Sequence, residues 1–284
     1  MADIEINTLF SVKGLVAVIT GGGTGIGLML AQALEANGAI VYILGRRQEV
    51  LDQGASTAWK KYGNMHPFKA DVTSKSDLEA AAEYVNQKSG YVNLVIANSG
   101  ITGPTMGGLS KDASLLEFRD YVQNWEIDEY NRTFAVNVTG LFSTLVAFLE
   151  LLDKGNKAGN VEQKSQFIGI SSAGAFSRVP MAGFAYAGSK AAVVHTMKQL
   201  ATRLVPYSIR CNTIAPGLYP SDMAAPVLSK DGVYAKDFIP VERAGDVKDM
   251  AGAILFLAGR AGAYLNGNVL LTDGGRLSIL PATY

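Results

Sequence analysis

Short apolar runs rich in β-branched residues alternate along the chain with longer segments whose apolar residues recur at helical spacing. The runs span residues 15–20, 39–44, 65–70, 92–97 and 167–170, and a sixth ends in Ala215-Pro216-Gly217. Continuous apolar runs are typical of parallel strands buried on both faces, and their alternation with amphipathic helices is typical of repeated βαβ units. The pattern predicts an α/β fold, in which helices cover both faces of a doubly wound parallel sheet of about seven strands.

A glycine-rich turn joins the first run to the first predicted helix. Residues 21–27 read Gly-Gly-Gly-Thr-Gly-Ile-Gly, and apolar residues at helical spacing follow from Leu28 to Leu34. Such a turn lets backbone N–H groups approach a pyrophosphate at the positive end of a helix. A tight turn also selects glycine, but the position between strand and helix favours a dinucleotide and a Rossmann-type sheet.

The end of the second run indicates which dinucleotide binds. It reads Gly45-Arg46-Arg47, and no Asp or Glu follows before Glu49. An acidic side chain here would accept hydrogen bonds from the ribose 2′-OH of NAD, whereas arginines pair with the 2′-phosphate of NADP. We therefore predict NADP(H). The alternative is that Arg46 and Arg47 are solvated residues of the first helical turn.

Polar residues also follow the third and fourth runs. Asp71-Val72 closes the third run, and Asn98-Ser99-Gly100 follows the fourth. Ligands bind at the carboxyl ends of strands in an open parallel sheet, although Asp71 can equally hold its own loop. Ser74 with Asp77 predicts a capping box at the start of the next helix.

Tyr186 and Lys190 are four residues apart in a predicted helix, so both side chains can face the same cleft. A nearby ammonium favours the phenolate and lowers the pKa of a tyrosine, which would suit proton transfer. A buried aromatic residue beside a solvated lysine is the alternative, and the surrounding motifs decide between the two.

These motifs resemble the short-chain dehydrogenase/reductase family, of the single-domain type, over nearly the whole chain. The family's Thr-Gly-x-x-x-Gly-x-Gly pattern corresponds to residues 20–27, and its Tyr-x-x-x-Lys pattern to Tyr186 and Lys190. The usual Asn-Asn-Ala-Gly stretch reads Ala97-Asn98-Ser99-Gly100 here. The missing first Asn affects a bracing hydrogen bond of the sheet rather than the chemistry.

The resemblance implies four catalytic residues, which are Asn137, Ser172, Tyr186 and Lys190. It implies that Tyr186 exchanges a proton with the substrate oxygen, that Ser172 hydrogen-bonds this oxygen, and that Lys190 contacts the nicotinamide ribose. Asn137 would bend its helix, predicted over about 126–152, and hold a water that connects to the lysine; a structural polar residue is the alternative. The interval from Ser172 to Tyr186 is one residue longer than is usual, so the loop 176–183 absorbs a residue. Ser171 is the alternative to Ser172.

The resemblance also implies the cofactor contacts. Asp71 would meet the adenine, Asn98 would lie by a ribose, and Ser221, five residues after Pro216, would contact the nicotinamide amide. The predicted cofactor-binding residues are Gly21, Thr24, Gly25, Ile26, Gly27, Arg46, Arg47, Asp71, Val72, Asn98, Gly100, Tyr186, Lys190, Pro216, Gly217, Tyr219 and Ser221.

The chain is interpreted as one domain with two variable segments. Residues 101–128 form an insertion whose aromatic residues either line the substrate site or pack a small surface helix. Residues 218–240 are predicted to be a mobile lid, and residues 153–166 a polar turn. Residues 267–275 resemble the family's closing strand, and residues 276–284 are expected to reach a neighbouring subunit of a homodimer or homotetramer.

Composition excludes several classes of function. The chain has 284 residues, 48% of them hydrophobic and 18% charged, with a formal net charge of zero, so neither nucleic acid nor a membrane is expected as a partner. The single Cys211 lies in an apolar run and is interpreted as a buried hydrophobe. The first thirteen residues do not resemble a signal peptide, and the longest apolar runs fall short of a membrane span. A cytoplasmic location is expected, and no metal site is predicted.

The sequence therefore predicts an NADPH-dependent oxidoreductase that reduces a ketone or aldehyde to an alcohol, or catalyses the reverse reaction. The alternatives are a non-catalytic NADP(H)-binding sensor or scaffold, and a non-redox enzyme such as a cyclase or dehydratase on the same fold. The small-molecule substrate is expected to be apolar or aromatic. The apolar residues that could surround it are Phe176, Val179, Met181, Phe184, Tyr219 and Met223.

Overall fold

Seven parallel strands form one sheet in the computed structural model, which describes residues 4–58, 63–180 and 182–284. Within these residues the strand order is β3-β2-β1-β4-β5-β6-β7, and all six neighbouring pairs are parallel. The strands are β1 (Val16–Thr20), β2 (Ile40–Gly45), β3 (Met65–Lys69), β4 (Leu94–Ala97), β5 (Gln166–Ile170), β6 (Arg210–Pro216) and β7 (Val269–Thr272). The predicted doubly wound sheet is confirmed, and β7 is shorter than the predicted stretch 267–275.

Helices connect the strands and cover both faces of the sheet. They are α1 (Ile6–Leu9), α2 (Gly25–Ala36), α3 (Gln48–Ser56), α4 (Lys75–Ser89), α5 (Leu115–Gln123), α6 (Ile127–Phe134), α7 (Gly140–Ala158), α8 (Phe184–Arg203) and α9 (Val247–Ala258). One core contains α2, α3 and α9, and the other contains α4, α7 and α8. Successive residues of β1 enter opposite cores, Ala17 and Ile19 on one side and Val18 on the other, because side chains alternate along a strand.

The helix that was predicted over about 126–152 is continuous but irregular. A π-helical turn, Ala135–Thr139, joins α6 to α7. The combined helix, Ile127–Ala158, has 32 residues and is long and apolar enough by length and composition to cross a membrane, so the expectation that no apolar segment reaches that length is wrong. Leu141, Leu145 and Phe148 are nevertheless buried against the sheet, as in the core helix of a globular fold.

The polar turn predicted over 153–166 begins later than expected. Helix α7 continues to Ala158 and ends where Gly159 adopts a left-handed conformation, with φ of 62°. Lys154 pairs with Glu150 at 2.9 Å, and Lys157 pairs with Asp153 at 2.6 Å. Such pairs four residues apart support a helix that composition alone would end sooner.

The segment 101–128 begins as a loop and then forms the surface helix α5. Ser114 and Glu117 form a capping box at its start, and none of its residues is buried. The Tyr121 hydroxyl donates a 3.1 Å hydrogen bond to the carbonyl of Thr105, which ties the helix to the preceding loop. The Trp125 ring lies 6.2 Å from that of Phe184 at the start of α8. These contacts are those of the packed surface helix that was one of the two expectations.

Two smaller predictions concern single residues. Cys211 is buried in the core as expected, and burial raises the pKa of its thiol to about 12, which suits a packing role rather than a nucleophile. Ser74 caps α4 by accepting a hydrogen bond from the N–H of Asp77. The full capping box is not formed, because the Asp77 carboxylate accepts from the N–H of Asp71 instead.

Candidate active site

A cleft of about 320 Å³ lies at the carboxyl ends of the strands. Strands β1 and β4 are neighbours there, although they are not consecutive in the chain; this is the topological switch point where open α/β sheets bind ligands. The residues that line it come from the glycine turn, the ends of β2 to β6 and the start of α8. Of the predicted site residues, the following line the cleft: Gly21, Thr24, Gly25, Ile26, Gly27, Arg46, Arg47, Asp71, Val72, Asn98, Gly100, Ser172, Tyr186, Lys190, Pro216, Gly217 and Ser221.

The glycine turn places the start of α2 directly at the cleft. A Cβ atom at Gly27 would lie 2.1 Å from the carbonyl oxygen of Gly21, so no other residue fits there without moving the turn. Gly25 has φ of 52°, and the Thr24 side chain caps no N–H group of the helix. The first N–H groups of α2 have no partner in the helix and face a cleft that side chains leave open. This cradle fits a dinucleotide phosphate.

Asn98 braces the turn from the neighbouring strand. Its side-chain amide donates hydrogen bonds of 3.0 and 3.1 Å to the carbonyls of Thr20 and Gly21. The Thr20 hydroxyl oxygen accepts from the N–H groups of Asn98 and Ser99. Ala97 has no side-chain amide with which to brace the sheet, as an Asn at this position would. Asn98 and Thr20 supply bracing hydrogen bonds instead.

Two arginines and an aspartate lie at the end of the cleft nearest β2. Arg46 and Arg47 are exposed and follow β2 directly. Arg47 pairs with Asp222 across the cleft at 3.7 Å, and both side chains are largely exposed. Guanidinium groups at this strand end fit a phosphate group. Asp222 was not predicted, and no local sequence signal connects it to a residue so distant in the chain.

Asp71 fulfils the structural role that the sequence left open and also lines the cleft. Its Oδ1 atom accepts hydrogen bonds from the N–H and hydroxyl of Thr73, at 2.9 and 2.7 Å. These bonds fix the loop after β3 so that Asp71 and Val72 border the cleft.

Ser172, Tyr186 and Lys190 meet at the other end of the cleft. Tyr186 lies in the first turn of α8, and its phenol lies beside the Ser172 hydroxyl, which acts to lower the pKa of the phenol. Lys190 follows one turn later and is 4% exposed, and its Nζ atom lies 5.8 Å from the centre of the tyrosine ring. Nζ donates a 2.8 Å hydrogen bond to the carbonyl of Ile170. The predicted helix face therefore brings both side chains to one place.

The electrostatics of this corner differ from the expectation. Burial raises the pKa of Tyr186, and the hydrogen bond from Ser172 only partly opposes this effect. Burial also lowers the pKa of Lys190 to about 8, so the buried amine is still mostly protonated at neutral pH. The predicted lowering of the Tyr186 pKa by Lys190 is not found: desolvation raises this pKa, and the group that acts to lower it is Ser172 rather than the lysine.

The two consecutive serines after β5 have different roles. The Ser171 hydroxyl is buried and donates a 2.8 Å hydrogen bond to the carbonyl of Lys190. The Ser172 oxygen accepts from the N–H of Gly174 at 3.0 Å, and the hydroxyl acts on the neighbouring phenol by lowering the pKa of Tyr186. Ser172 is thus the serine beside the phenol, and Ser171 anchors the helix that carries Lys190.

Asn137 lies behind the cleft in the π-helical turn and is 1% exposed. Its side chain accepts from the N–H of Ile101 at 2.8 Å and donates to the Ile101 carbonyl at 2.9 Å. It also donates to the Ser189 hydroxyl at 2.9 Å. The expected helix distortion is present, and the side chain joins the cleft-lining Ile101 to the helix of Tyr186. Its predicted water-holding role stays a prediction.

The segment after β6 crosses the top of the cleft. The backbone of Gly217 packs against Asp273, and Ser221 lies so close to Gly25 that a Cβ there would be 2.9 Å from that of Ser221. Tyr219 was predicted to bind the cofactor, but its side chain lies elsewhere. It is 4% exposed in the core, and its ring packs on Gly245. Its side chain does not line the cleft, because Tyr219 points toward the core while Ser221 faces Gly25.

The six apolar residues proposed to surround the substrate have different positions. Met223 lines the cleft, Tyr219 is in the core, and Phe176 packs on Tyr284. Val179 and Phe184 are exposed, and Met181 lies outside the described residues. The apolar cleft-lining residues that sequence reasoning missed are Val50, Leu51, Ala70, Ile101, Val136 and Ile170. The available sequence signal for Val136 was its position next to Asn137, which was already a predicted site residue.

The segment 276–284 pairs with residues 176–178 of its own chain. The expectation that it reaches a neighbouring subunit stays a prediction. Among the described residues, no group of three His, Cys, Asp or Glu side chains is placed to hold a metal ion.

Comparisons with known proteins agree with this geometry. A family model described as enoyl-(acyl carrier protein) reductase matches residues 21–276. The chain is 49% identical to short-chain dehydrogenase/reductase PhomF of Diaporthe leptostromiformis over 97% of this chain and 96% of that protein. It is 33% identical to the rhamnolipids biosynthesis 3-oxoacyl-[acyl-carrier-protein] reductase of Pseudomonas aeruginosa, over 94% of this chain and 97% of that protein.

Solved structures share the fold over nearly the whole chain. The Pseudomonas aeruginosa RhlG/NADP active-site complex matches with a TM-score of 0.80 and 31% identity, covering 95% of this chain and 99% of that chain. A 7α-hydroxysteroid dehydrogenase complexed with NADH and 7-oxoglycochenodeoxycholic acid matches with a TM-score of 0.78 and 26% identity, covering 96% and 98%. The similar structures thus include complexes with each of the two nicotinamide dinucleotides.

Proposed function

The chain belongs to the short-chain dehydrogenase/reductase family of oxidoreductases, and we propose that it is an NADPH-dependent reductase of a ketone or aldehyde. The observation that carries this proposal is the convergence of Ser172, Tyr186 and Lys190 at one end of the cleft. The glycine cradle lies in the same cleft, which suits transfer between a dinucleotide and a small carbonyl compound. The same residues serve the reverse oxidation of an alcohol.

The proposed preference for NADP(H) rests on Arg46 and Arg47. Both border the cleft at the end of β2, where the 2′-phosphate of the cofactor would lie. The similar structures include an NADP complex and an NADH complex, so the arginines carry the choice between the two. The bound nicotinamide supplies the hydride.

In the mechanism that we propose, Tyr186 donates its phenolic proton to the substrate oxygen. The phenol is protonated at neutral pH and so has a proton to donate, although burial raises its pKa and a general acid works best with a pKa nearer the working pH. Ser172, which lines the cleft beside Tyr186, binds the same oxygen and orients the carbonyl. Lys190 is held toward the cleft by Ile170 and would contact the nicotinamide ribose. Asn137 supports Ile101 and the start of α8 through its hydrogen bonds.

The substrate that we propose is a small apolar or aromatic carbonyl compound. Ile101, Val136, Ile170 and Met223 border the cleft, and apolar walls with a few polar groups are typical of small-molecule sites.

We also propose a cytoplasmic homodimer or homotetramer. The outer face of α7 exposes Phe142 and Val146, at 48% and 55%, and light scattering of the purified chain would measure its mass in solution.

A panel of aliphatic and aromatic ketones and aldehydes tests the function, with NADPH and NADH absorbance followed in parallel. We expect oxidation of NADPH with at least one class of carbonyl. Tyr186→Phe should reduce turnover by about 10²- to 10⁴-fold and leave NADPH affinity largely unchanged. Unaltered turnover in Tyr186→Phe would refute the assigned acid. NADPH binding without turnover across the panel would favour a sensor, and substrate conversion without NADPH consumption would favour a cyclase or dehydratase.

A further inference from the structure

The segment 281–284, which we call the strap, forms a short antiparallel pairing beside the active site. The N–H of Arg178 donates a 2.8 Å hydrogen bond to the carbonyl of Pro281, and the N–H of Thr283 donates one of 2.8 Å to the carbonyl of Phe176. Ser177 and Ala282 face each other between these bonds as an antiparallel bridge. The strap therefore holds residues 176–178 by their backbone.

An aromatic pair closes this contact. The ring of Tyr284 meets that of Phe176 edge to face, with 4.9 Å between their centres. The Tyr284 hydroxyl donates to the carbonyl of Val269 in β7 at 3.3 Å. Phe176 is thus linked through one side chain to the edge strand of the sheet, which is a rigid element.

Residues 176–178 continue directly from the turn that Ser172 opens. The turn Ala173–Ala175 is capped by the Ser172 oxygen, which accepts from the N–H of Gly174. The N–H of Phe176 donates to the carbonyl of Ala173 at 3.0 Å. A Cβ atom at Gly174 would lie 3.7 Å from the Tyr186 ring. A shift of Phe176 would therefore move groups that contact both Ser172 and Tyr186.

The residues preceding the strap contact the end of the segment 218–240. The Arg276 guanidinium lies over the Phe238 ring, 4.0 Å from its centre. The N–H of Val241 donates to the carbonyl of Gly274 at 3.3 Å, and Gly275 packs against Pro240. One stretch of chain thus joins the segment over the cleft to the turn of Ser172.

We propose that Tyr284, acting through Phe176, is a positioning residue that sets the orientation of Ser172 toward the substrate oxygen. This inference rests on the proposed carbonyl reduction for its effect on rate. In the part of the chain that the structure describes, the hydrogen bonds and ring contacts of the strap go to residues 176–178 and to Val269, and none goes to the glycine cradle or the arginines. We therefore expect it to affect the reacting end of the cleft and to leave the cofactor end unchanged.

Three variants test the proposal on the full chain. Tyr284→Ala removes the ring, Tyr284→Phe keeps the ring and loses the bond to Val269, and Tyr264→Ala is the control, since Tyr264 is fully exposed. Because small misplacements of reacting groups cost up to about 10²-fold in rate, we expect Tyr284→Ala to lower kcat about ten-fold. NADPH affinity should stay at the wild-type value, Tyr284→Phe should recover most of the rate, and Tyr264→Ala should match the wild type.

Hydrogen exchange supplies a readout that does not depend on turnover. Amides in residues 172–178 should exchange faster in Tyr284→Ala, and amides of the glycine turn should not change. Wild-type kcat together with wild-type exchange in Tyr284→Ala would overturn the proposal, as would a parallel loss of NADPH affinity. A wild-type chain that reduces no carbonyl would refute the proposed function instead, and faster exchange in the variant would still support the positioning of the Ser172 turn.

Discussion

The ammonium group of Lys190 donates a 2.8 Å hydrogen bond to the carbonyl oxygen of Ile170 and is almost completely buried. Burial lowers the pKa of Lys190 from its ordinary value of 10.5 to about 8. The unfolded chain therefore binds more protons than the folded chain between these two values, and folding becomes more favourable as the pH rises through this window. Below about pH 8 the buried charge carries its full cost in stability.

Lys190→Met should therefore stabilise the protein at pH 7 relative to the wild type. We expect a gain of about 1–3 kcal/mol, since each unit of pKa corresponds to about 1.4 kcal/mol and the lost hydrogen bond to Ile170 offsets part of it. The gain should shrink as the pH is raised to 10. Urea unfolding at both values measures it, and Lys198→Met, an exposed lysine on the same helix, is the control. A gain in stability that does not change with pH would contradict the conclusion that the buried charge of Lys190 destabilises the wild type.

The two serines after β5 offer a matched pair for testing the substrate contact. Ser172→Ala should lower kcat/KM about 10²-fold, because oriented hydrogen-bond donors to a reacting oxygen contribute about this much. It should also raise the pKa of Tyr186 further, because the hydrogen bond from Ser172 lowers it. Ser171→Ala removes a bond to Lys190 and should reduce stability with a smaller effect on turnover. The reverse ranking in steady-state kinetics would assign the role to Ser171.

The choice of cofactor should depend on the charges at the end of β2. Arg46→Ala and Arg47→Ala should each weaken NADPH binding about ten-fold, because a hydrogen bond to a charged group is worth about 1.5–3 kcal/mol, and leave NADH binding unchanged. Asp222→Asn removes the carboxylate that pairs with Arg47 and should strengthen NADPH binding. Fluorescence titration with both dinucleotides measures this, with Arg119→Ala on the surface helix as control. Equal losses for NADPH and NADH would argue against a 2′-phosphate contact.

Two helical glycines differ in what surrounds them and make a second matched pair. Gly27→Ala would place a Cβ 2.1 Å from the carbonyl oxygen of Gly21, so we expect a loss of about 1–3 kcal/mol in stability and weakened dinucleotide binding. A Cβ at Gly252 in α9 meets nothing within 4 Å, and Gly252→Ala should stabilise the chain by about 0.5–1 kcal/mol. Thermal unfolding and NADPH titration check both variants. Wild-type stability together with wild-type NADPH binding in Gly27→Ala would refute the assignment of the glycine turn as a phosphate cradle.

The sequence by itself determined the order of strands and helices along the chain and the position of the cleft at the carboxyl ends of the strands. Strands buried on both faces need continuous apolar residues, so residues 15–20 and 92–97 were recognisable without the structure. The glycines of 21–27 and the helical spacing of Tyr186 and Lys190 depend on local backbone geometry, which is encoded within a few residues. The helix distortion at Asn137 was expected from the family resemblance alone, and the structure has a π-helical turn there.

Only the tertiary structure decided which side chains meet and how well solvated they are. Tyr219 is buried in the core, Arg47 pairs with Asp222, and Tyr284 packs against Phe176 of the same chain. Each of these contacts joins residues far apart in sequence, and no local pattern records such a pairing. The direction of the pKa shift of Tyr186 was decided in the same way, because desolvation depends on everything that packs around the phenol and not on the distance to Lys190 along the helix.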